Sequence, residues 1–518
     1  MKHTVSILIA FLGLAINLPS AETGGQKEMP GETAADPAAQ PAKKRPETAM
    51  EKPSVTRHSM TWRGEVLNYT ATAGYMPIEN ESGKLQARLF YVAYTRNGVS
   101  DLDKRPVGFA FNGGPGASSV WLHIGGLGPK RVLLAADGTE LPVSDRLLDN
   151  EQTWLGFTDL VFIDPVGTGF SRAAEGVDAK QFYDVRKDID VTGEFVRLYI
   201  TENGRWLSPK FVIGESYGTT RAAGLASHLQ HSPGLNLAGV ILLSSALSFQ
   251  TFETGGGNDL PYALALPTFT AVASYHKKLP RQTPAELEHV LVKVEHWALD
   301  GYTSALAKGD TLTQSERCNL TEKLARCTGL STNYLVASHW RVGAQRFTKE
   351  LLRNENRTVG LLDGRVLGID ISRLGEYPQY DPAMFLTTGP FVSTFNDYLR
   401  RDLKFENTLK YELFSNEVNR SWKWDTGGQG YLYVGDNLAE AMSKDTRLRV
   451  FLGMGLYDLT TPYLSQKYTF DHLGLDPGLH GNFTFRLYPS GHQIYTDIPS
   501  LKKLEADAAA FIQEPRRP

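Results

Sequence analysis

The chain has 518 residues, of which 41% are hydrophobic, and its formal net charge is −3 at pH 7. This length allows one large domain with an inserted subdomain, and the small net charge predicts neither a nucleic acid nor an anionic membrane surface as a partner. Beyond the N-terminus, no apolar segment is long enough to predict a transmembrane span, so we expect no stable membrane association.

The N-terminal segment has the pattern of an export signal. Lys2 precedes an apolar run over residues 5–18, and small residues follow up to Ala21. We interpret residues 1–21 as a signal peptide and expect an exported protein, either periplasmic or secreted. A retained membrane anchor is the alternative, although the run is short for a span. Residues 22–53 are rich in Ala, Pro, Glu, Lys and Gly, which predicts a disordered linker.

Residues 54–250 alternate between strand and helix patterns, which predicts the first part of a mostly parallel sheet with helices on both faces. The strand-like runs lie at 61–72, 85–95, 107–111, 160–163, 211–213 and 238–243. The first two have no helix between them and are expected to form a hairpin. A helix is predicted over 185–201, where apolar residues share one side.

Residues 251–433 change to a helical pattern and predict a cap inserted over the sheet. Helices are expected at 284–299 and 335–352. Some aromatic residues of the insertion are candidates for a substrate-contacting wall, although each fits an ordinary core position better; they are Tyr262, Phe269 and Tyr275.

Residues 434–518 return to the core pattern. A buried strand is expected at 447–452, and the apolar alternation at 483–487 predicts another strand. The segment 501–512 predicts a closing C-terminal helix. Together with residues 54–250, this region completes a predicted α/β core.

The two cysteines, Cys318 and Cys327, lie nine positions apart in the insertion. In an exported chain they would pair, so we predict a disulfide that closes a short loop. A metal site would need further ligands nearby, and neither a histidine nor another cysteine is close.

A Gly-x-Ser-x-Gly motif occupies residues 214–218, between the apolar run 211–213 and a helix-like stretch over 219–228. A sharp turn between a strand and a helix exposes the serine, here Ser216, as a nucleophile. The flanking glycines allow the backbone to pack closely in such a turn. The motif alone is weak evidence, so its meaning depends on the other loops.

Three further loops follow strand-like runs. The segment 112–119 is rich in glycine, and its backbone N–H groups can face a developing negative charge. A tight turn or a phosphate cradle is the alternative, although a Walker-type loop would need a lysine. Asp458 and His492 follow the two late strands, and the order Ser, Asp, His is typical of serine hydrolases with the α/β-hydrolase fold.

The chain resembles the serine carboxypeptidases, and the single predicted bridge together with the export signal suggests a bacterial-type member. The resemblance is carried by FNGGPGASSVW, FIDPVGTGFSR, IGESYGTTRAAGLASHL, and GLYDLTTPY with YPSGHQIYTD. These blocks span Phe111 to Asp497, whereas residues 251–424 show little likeness. The resemblance implies an α/β-hydrolase fold and a serine protease that removes residues from peptides with a free C-terminal carboxylate.

The resemblance also implies a role for each catalytic residue. Ser216 is the implied nucleophile, since a base must take the proton of its weakly acidic hydroxyl. His492 is implied as general base and then general acid, and Asp458 as the residue that orients the imidazole. The backbone N–H groups of Gly114 and Tyr217 are the implied oxyanion hole.

Recognition of the terminal carboxylate is implied for Asn112, Gly113 and Glu215. A glutamate beside the nucleophile should be desolvated, which raises its pKa. When protonated it donates a hydrogen bond to a carboxylate, and when ionised it repels one. The alternative is that Glu215 only shapes the turn.

The sequence departs from the family at a second glutamate, which usually follows the glycine loop by about a dozen residues. Gly126 stands there instead. His123, one turn earlier, is a hypothetical substitute that could bind a carboxylate as imidazolium; a histidine without such a role is the alternative. Ala117 also replaces a cysteine of the family, so no disulfide is expected to anchor this loop.

Three functions remain open at this stage. A serine carboxypeptidase is the main prediction, a serine esterase or acyltransferase on the same scaffold is favoured by the missing glutamate, and a non-catalytic binding protein is the third. We expect no cofactor and no metal, because the chain has neither an H-E-x-x-H motif nor a G-x-G-x-x-G after a strand. The sequence does not predict an oligomeric state.

Overall fold

The computed structural model of the protein describes residues 52–140 and 144–514. The predicted signal peptide (1–21) lies outside these residues, as does the predicted linker (22–53) except for its last two positions. The described residues form a central sheet with helices packed on its two faces. A largely helical segment is inserted in the chain before the last two strands of this sheet.

Fourteen strands are present in the described residues, and ten of them form the central sheet. They are β1 (Ser54–Trp62), β2 (Glu65–Glu79), β3 (Leu85–Arg96), β4 (Val107–Phe111), β5 (Lys130–Val132), β6 (Leu147–Asp149), β7 (Asp159–Ile163), β8 (Arg172–Ala173), β9 (Lys210–Glu215), β10 (Gly239–Leu243), β11 (Arg357–Val359), β12 (Leu367–Ile369), β13 (Arg449–Gly455) and β14 (Phe483–Tyr488). Two small antiparallel pairs, β5 with β6 and β11 with β12, stand apart from this sheet.

The central sheet is mostly parallel, as predicted. Its order is β1-β2-β3-β7-β4-β9-β10-β13-β14, and β8 pairs with β3. The six strands from β7 to β14 in this order pair in parallel, whereas β1, β2 and β3 form an antiparallel meander. All the parallel strands therefore end at one edge, and the loops after them meet there.

The predicted hairpin between the first two strand-like runs is confirmed by the pairing of β2 with β3. The predicted start of the first strand, in the range 61–72, was wrong. This range contains a tight turn at Arg63 and Gly64, which both have positive φ angles, of 50° and 82°. This turn separates β2 from β1, an edge strand that the sequence analysis did not predict.

Fourteen α-helices lie in the described residues, and none of them is long and apolar enough to cross a membrane. They are α1 (Val120–Leu122), α2 (Val185–Glu202), α3 (Tyr217–His231), α4 (Leu260–Tyr275), α5 (Pro284–Trp297), α6 (Thr303–Lys308), α7 (Gln314–Thr328), α8 (Thr332–Ala337), α9 (Ala344–Glu350), α10 (Pro382–Arg401), α11 (Asn416–Ser421), α12 (Gly435–Lys444), α13 (Tyr463–Asp471) and α14 (Ile498–Gln513). The predicted helices at 185–201, 284–299 and 501–512 correspond to α2, α5 and α14.

The strands bury both faces, so their apolar residues divide between two cores. Val212 of β9 and Val240 of β10 pack in one core with α2 and α3. Their neighbours Phe211 and Ile241 point the other way and pack in a second core that includes α14. This alternation is why the parallel strands read as continuous apolar runs in the sequence.

The single helix predicted over 335–352 was wrong, because the chain reverses within it. His339 and Trp340 have φ angles of 51° and 59°, which no helix can accommodate. The segment therefore divides into α8 and α9. Trp340 remains buried, and its indole N–H donates to the Thr321 hydroxyl at 2.8 Å, so the tertiary contact supports the break.

The predicted disulfide between Cys318 and Cys327 was wrong, because both residues lie on α7 and both thiols are free. Nine residues of an α-helix advance by about 13.5 Å and rotate by about two and a half turns. The two side chains therefore lie on opposite sides of the helix, too far apart for a disulfide. The spacing alone did not show that the intervening residues are helical.

The two thiols should differ in reactivity. Cys318 is exposed, whereas burial raises the pKa of the Cys327 thiol to about 11. At pH 8 we expect iodoacetamide to alkylate Cys318 at least about 50-fold faster than Cys327, because only the thiolate reacts. Peptide mass mapping over time measures both rates, and the difference should vanish in denaturant. Alkylation that requires prior reduction of the native protein would contradict the free-thiol assignment.

Candidate active site

Ser216 lies at the sharp turn between β9 and α3. Its φ and ψ angles of 59° and −131° are unusual for a residue with a side chain, and Ser216 itself remains partly exposed. The flanking glycines are required by packing. A Cβ atom at Gly214 would lie 2.2 Å from the Gly218 carbonyl oxygen, and one at Gly218 would lie 2.6 Å from that of Phe111.

His492 and Asp458 meet at the ends of the last two parallel strands. The His492 Nδ1 and Asp458 Oδ2 atoms are 2.8 Å apart, and both residues are buried. Asp458 Oδ1 accepts the backbone N–H groups of Thr460 and Thr461, each at 2.9 Å, which fixes the carboxylate. Since a carboxylate only accepts, Nδ1 carries the hydrogen and Nε2 is left as the basic atom.

The pKa of His492 reflects two opposing effects. Burial lowers this pKa, but the charge of Asp458 and the hydrogen bond to it outweigh the burial, so the pKa lies above its ordinary value. The nearby carboxyl groups of Glu215 and Asp381 act in the same direction. The imidazole is thus a stronger base than an isolated histidine.

Two hydrogen bonds fix the nucleophile turn and the His492 loop to the end of β10. The Ser216 N–H donates to the Leu243 carbonyl at 3.0 Å, and the Ser244 hydroxyl donates to the His492 carbonyl at 2.7 Å. The Ser216 hydroxyl makes no hydrogen bond with the His492 ring in the part of the chain that the structure describes. Such bonds often tighten only when a substrate binds.

The glycine-rich loop packs its backbone directly on the nucleophile turn. A Cβ atom at Gly113 would lie 2.4 Å from the Tyr217 nitrogen, so this position admits only glycine. Within residues 52–140 and 144–514, neither the Gly114 N–H nor the Tyr217 N–H donates a hydrogen bond. Both N–H groups therefore remain available beside the nucleophile turn.

Arg221 holds the start of the glycine-rich loop through a hydrogen bond to its main chain, a role that the sequence analysis missed. Its guanidinium donates to the Asn112 carbonyl at 2.9 Å and to the Asp188 carboxylate at 2.8 Å. Arg221 is 1% exposed and lies over the Phe111 and Tyr217 rings. It lies within the conspicuous IGESYGTTRAAGLASHL block, but nothing in the spacing of that block indicates its contacts.

Glu215 and Asn112, two of the predicted carboxylate-binding residues, are joined by a hydrogen bond. Asn112 Nδ2 donates to Glu215 Oε1 at 2.7 Å, and the Leu122 N–H donates to Asn112 Oδ1 at 2.9 Å, which fixes the amide. Burial raises the pKa of Glu215 to about 7, although the charge of His492 lowers it in part. Glu215 is therefore neutral below about pH 7.

The hypothesis that His123 binds a carboxylate as imidazolium was wrong. The ring is buried, bonds to the Tyr94 hydroxyl at 2.7 Å and stacks on Phe162 with ring centres 4.2 Å apart. Burial lowers the pKa of His123 to about 3, so it stays neutral in the core. At the position of the missing second glutamate, Gly126 packs against Tyr495.

A segment of the inserted region, residues 361–365, holds both late catalytic loops. The His492 N–H donates to the Leu362 carbonyl at 2.7 Å, and the Leu459 N–H donates to the Leu361 carbonyl at 3.1 Å. Residues before the last two strands thus fix the relative position of the loops that carry Asp458 and His492. The sequence analysis missed this contact, because the segment lies in the range 251–424, where it found little likeness to the family's motifs.

The predicted aromatic candidates of the insertion have different environments. Phe269 is buried and stacks on Phe347, with ring centres 4.1 Å apart, so it is an ordinary core residue. Tyr262 is half-buried. Tyr275 is 43% exposed and contacts Tyr457 beside Asp458.

Four further aromatic residues cluster beside the nucleophile, and the sequence analysis missed three of them. The ring of Tyr217 meets Trp422 and Trp424 edge-on, at 5.2 Å and 5.8 Å between ring centres. Trp424 also contacts Phe249 at 4.8 Å. These rings come from three distant parts of the chain, so no local pattern links them.

Comparisons with known proteins agree with this geometry. A family model described as serine carboxypeptidase matches residues 63–484, a range that contains Ser216 and Asp458 and ends before His492. The retinoid-inducible serine carboxypeptidase of Rattus norvegicus is 27% identical over 207 residues, which are 36% of this chain and 40% of the relative. The pheromone-processing carboxypeptidase KEX1 of Saccharomyces cerevisiae is 33% identical over 156 residues, 28% of this chain and 20% of the relative. The matched segments thus span less than half of either relative.

A solved structure extends the likeness over most of the chain. The crystal structure of Kex1(delta)p, a prohormone-processing carboxypeptidase from Saccharomyces cerevisiae, superposes with a TM-score of 0.52 at 18% identity. The superposition covers 85% of this chain and 91% of that one. Together with the parallel sheet, it confirms the predicted α/β-hydrolase fold. Because the family model matches well over half of its residues, the chain belongs to the serine carboxypeptidase family.

Removal of the Arg221 charge should destabilise the protein strongly. In Arg221→Met the buried Asp188 loses its partner, and we expect the free energy of unfolding to fall by about 3–5 kcal/mol. Urea unfolding followed by circular dichroism measures this change. The matched double variant Arg221→Met with Asp188→Asn has no unpaired charge and should recover part of the loss. An unchanged unfolding midpoint in Arg221→Met would show that the pair does not stabilise the fold.

Proposed function

We propose that the protein is a serine carboxypeptidase that hydrolyses C-terminal peptide bonds through an acyl-enzyme on Ser216. The observation that carries this proposal is a buried carboxyl, neutral below about pH 7, directly before the nucleophile: Glu215, hydrogen-bonded to Asn112. A neutral acid and an amide can hold a substrate's terminal carboxylate beside the serine. The names of two relatives as carboxypeptidases support the same activity.

The first half-reaction forms the acyl-enzyme. His492 Nε2 takes the Ser216 proton as Oγ attacks the carbonyl carbon of the last peptide bond. The resulting oxyanion accepts hydrogen bonds from the N–H groups of Gly114 and Tyr217. His492 then gives the proton to the leaving nitrogen, the C–N bond breaks, and the C-terminal amino acid departs.

The second half-reaction repeats these steps with water. His492 removes a proton from water, which attacks the acyl carbon, and the proton then returns to Ser216 Oγ as the ester bond breaks. Asp458 keeps the imidazole in the required tautomer and stabilises the imidazolium in both halves. The terminal carboxylate is thus held at a fixed distance from the scissile bond, because the residues that bind the carboxylate adjoin the nucleophile; these residues are Asn112, Gly113 and Glu215, and the nucleophile is Ser216.

The proposal extends to the whole chain as follows. Residues 54–250 and 434–518 form the catalytic core, and residues 251–433 form a cap whose side chains contact the substrate. Residues 1–21 direct export, to a periplasmic or secreted location, and residues 22–53 link the signal to the core. These statements rest on the sequence pattern of each segment.

A serine esterase or acyltransferase on the same scaffold is the second candidate. The specific observation in its favour is Gly126, which leaves the site without the second carboxyl that the family usually has. With one acid rather than two, selection for a terminal carboxylate depends on Glu215 and its neighbours.

Three substrates separate the two candidates. We expect an N-blocked dipeptide to be hydrolysed with a kcat/KM at least about 100-fold above that of its C-terminal amide, since the amide lacks the charge that Asn112 and Glu215 bind. A small acyl ester without a carboxylate reports the triad alone, and Ser216→Ala should abolish all three activities. Hydrolysis of the ester with equal rates on the dipeptide and its amide would favour the esterase.

The preference for a free carboxylate should depend on pH. Below its pKa of about 7, Glu215 is neutral and binds the carboxylate; above it, the ionised group repels the substrate. The ratio of kcat/KM for the dipeptide acid to that for the ester should therefore fall about tenfold per pH unit above pH 7. This ratio cancels the titration of His492, which both substrates share.

The matched control is Glu215→Gln, which keeps the shape of the side chain and has no proton to lose. Its ratio should be independent of pH between 5 and 9. A ratio that is equally flat in the unmodified protein would show that Glu215 does not bind the carboxylate.

A further inference from the structure

Two buried oxygen atoms beside the nucleophile lack hydrogen-bond partners. Oε2 of Glu215 and the hydroxyl oxygen of Tyr495 are shielded from solvent, and neither makes a hydrogen bond among the described residues. The two side chains are neighbours, and the Asn112 side chain lies beside the same hydroxyl. Because buried polar atoms are rarely left unpaired, two such neighbours indicate a pair that closes with a small movement.

The position of Tyr495 is fixed by the glycines opposite it. A Cβ atom at Gly125 would lie 2.4 Å from the Tyr495 ring, and one at Gly126 would lie 2.5 Å from the Tyr495 Cβ. With the backbone in this position, a side chain at position 126 would collide with Tyr495 already at its Cβ atom, so Tyr495 occupies the space beside Gly126. Tyr495 lies three residues after His492 and is 1% exposed.

We propose that Tyr495 is a positioning residue of the carboxylate site, whose hydroxyl pairs with Oε2 of Glu215 in place of the missing second carboxyl. This inference rests on the proposed carboxypeptidase function. Asn112 already holds Oε1, so a partner for Oε2 fixes the plane of the Glu215 carboxyl. In this proposal the Tyr495 hydroxyl bonds to Glu215, so the tyrosine acts on the substrate only through that carboxyl.

A phenol gives this site a different response to pH from a second carboxyl. Two adjacent carboxyls share one proton, and their titrations are coupled. Burial raises the pKa of Tyr495 well above 10, so its hydroxyl keeps its hydrogen and does not share a titrating proton with Glu215. In the proposed pair the hydroxyl donates to Glu215 and so favours its ionised form, which means that removal of the hydroxyl should raise the pKa of Glu215.

Tyr495→Phe tests the inference, because it removes one oxygen and keeps the ring on the two glycines. We expect KM for the dipeptide acid to rise about 5- to 30-fold below pH 7, while hydrolysis of the small ester changes less than about twofold. The pH at which the ratio of kcat/KM for the dipeptide acid to that for the ester begins to fall should rise by about one pH unit. Tyr488→Phe is the matched control: Tyr488 is also buried, but its hydroxyl bonds to Asp507 at 2.8 Å, so neither parameter should change.

A double-variant cycle shows whether Tyr495 acts through Glu215. In a Glu215→Gln background, adding Tyr495→Phe should raise KM less than about threefold, because the titrating partner is already gone. An undiminished effect in that background would overturn the inference. An unchanged KM and an unchanged pH dependence of the acid-to-ester ratio in Tyr495→Phe would also overturn it. A loss of ester hydrolysis in that variant would overturn it too, because it would show that Tyr495 only supports the structure of the His492 loop.

The failure of the proposed function has a separate signature. If the unmodified protein hydrolyses the dipeptide acid and its amide equally, the carboxylate site itself is absent and both proposals fall together. If it prefers the acid and Tyr495→Phe keeps that preference with the same pH dependence, only the inference about Tyr495 fails.

Discussion

Backbone packed directly on backbone, between the glycine-rich loop and the turn at Ser216, is the constraint on which the site depends. A side chain at Gly113, Gly214 or Gly218 would meet main-chain atoms within 2.2 to 2.6 Å. Main chain cannot rotate aside as a side chain can, and here it belongs to the end of β4 and the first turn of α3. The contact therefore sets the loop beside the first turn of α3, and every other group of the site is placed relative to that contact.

The chemistry of the two carboxyls in the site follows from the number of hydrogen bonds that each accepts. Asp458 accepts from two backbone N–H groups, from the Thr461 hydroxyl and from His492. Glu215 accepts one hydrogen bond, from Asn112. Donors favour the ionised form of a carboxyl, whereas burial favours the neutral form. Burial therefore prevails at Glu215 and raises its pKa to about 7, which is the condition that the proposed carboxylate site requires in weak acid.

The sequence analysis predicted correctly the features that depend on residues close together in the chain, and it was wrong where a feature depends on the tertiary structure. The strands β4, β9 and β13 were predicted because each is a short apolar run that ends at glycine or turn residues, and β14 was predicted from its alternating apolar residues. The hydrogen bond between Asp458 and His492 joins the two loops expected to meet. The helix over 335–352, the disulfide and the charged form of His123 were wrong. Each of these three depended on local conformation or burial that spacing does not report.

The site residues that the sequence analysis missed share one property, which is that distant parts of the chain give them their role. Arg221 bonds to a carbonyl more than a hundred positions earlier, and the segment 361–365 holds loops about a hundred positions later. Tyr495 acquires significance only from the two glycines opposite its ring. In each case the residue belongs to no recognisable motif, and the residues that it contacts are distant in sequence.

The sequence by itself determined the order of the strands along the chain, the three loops that carry serine, aspartate and histidine, and the glycines that the sharp turns require. These are local properties, because a strand, a turn or a nucleophile motif is defined by residues within one short segment. Only the tertiary structure decided which carboxyl is neutral, which histidine is a base and which is a core residue, and what fills the space beside Gly126. The physical reason is that protonation and packing depend on burial and on neighbours, and folding brings those neighbours from remote segments.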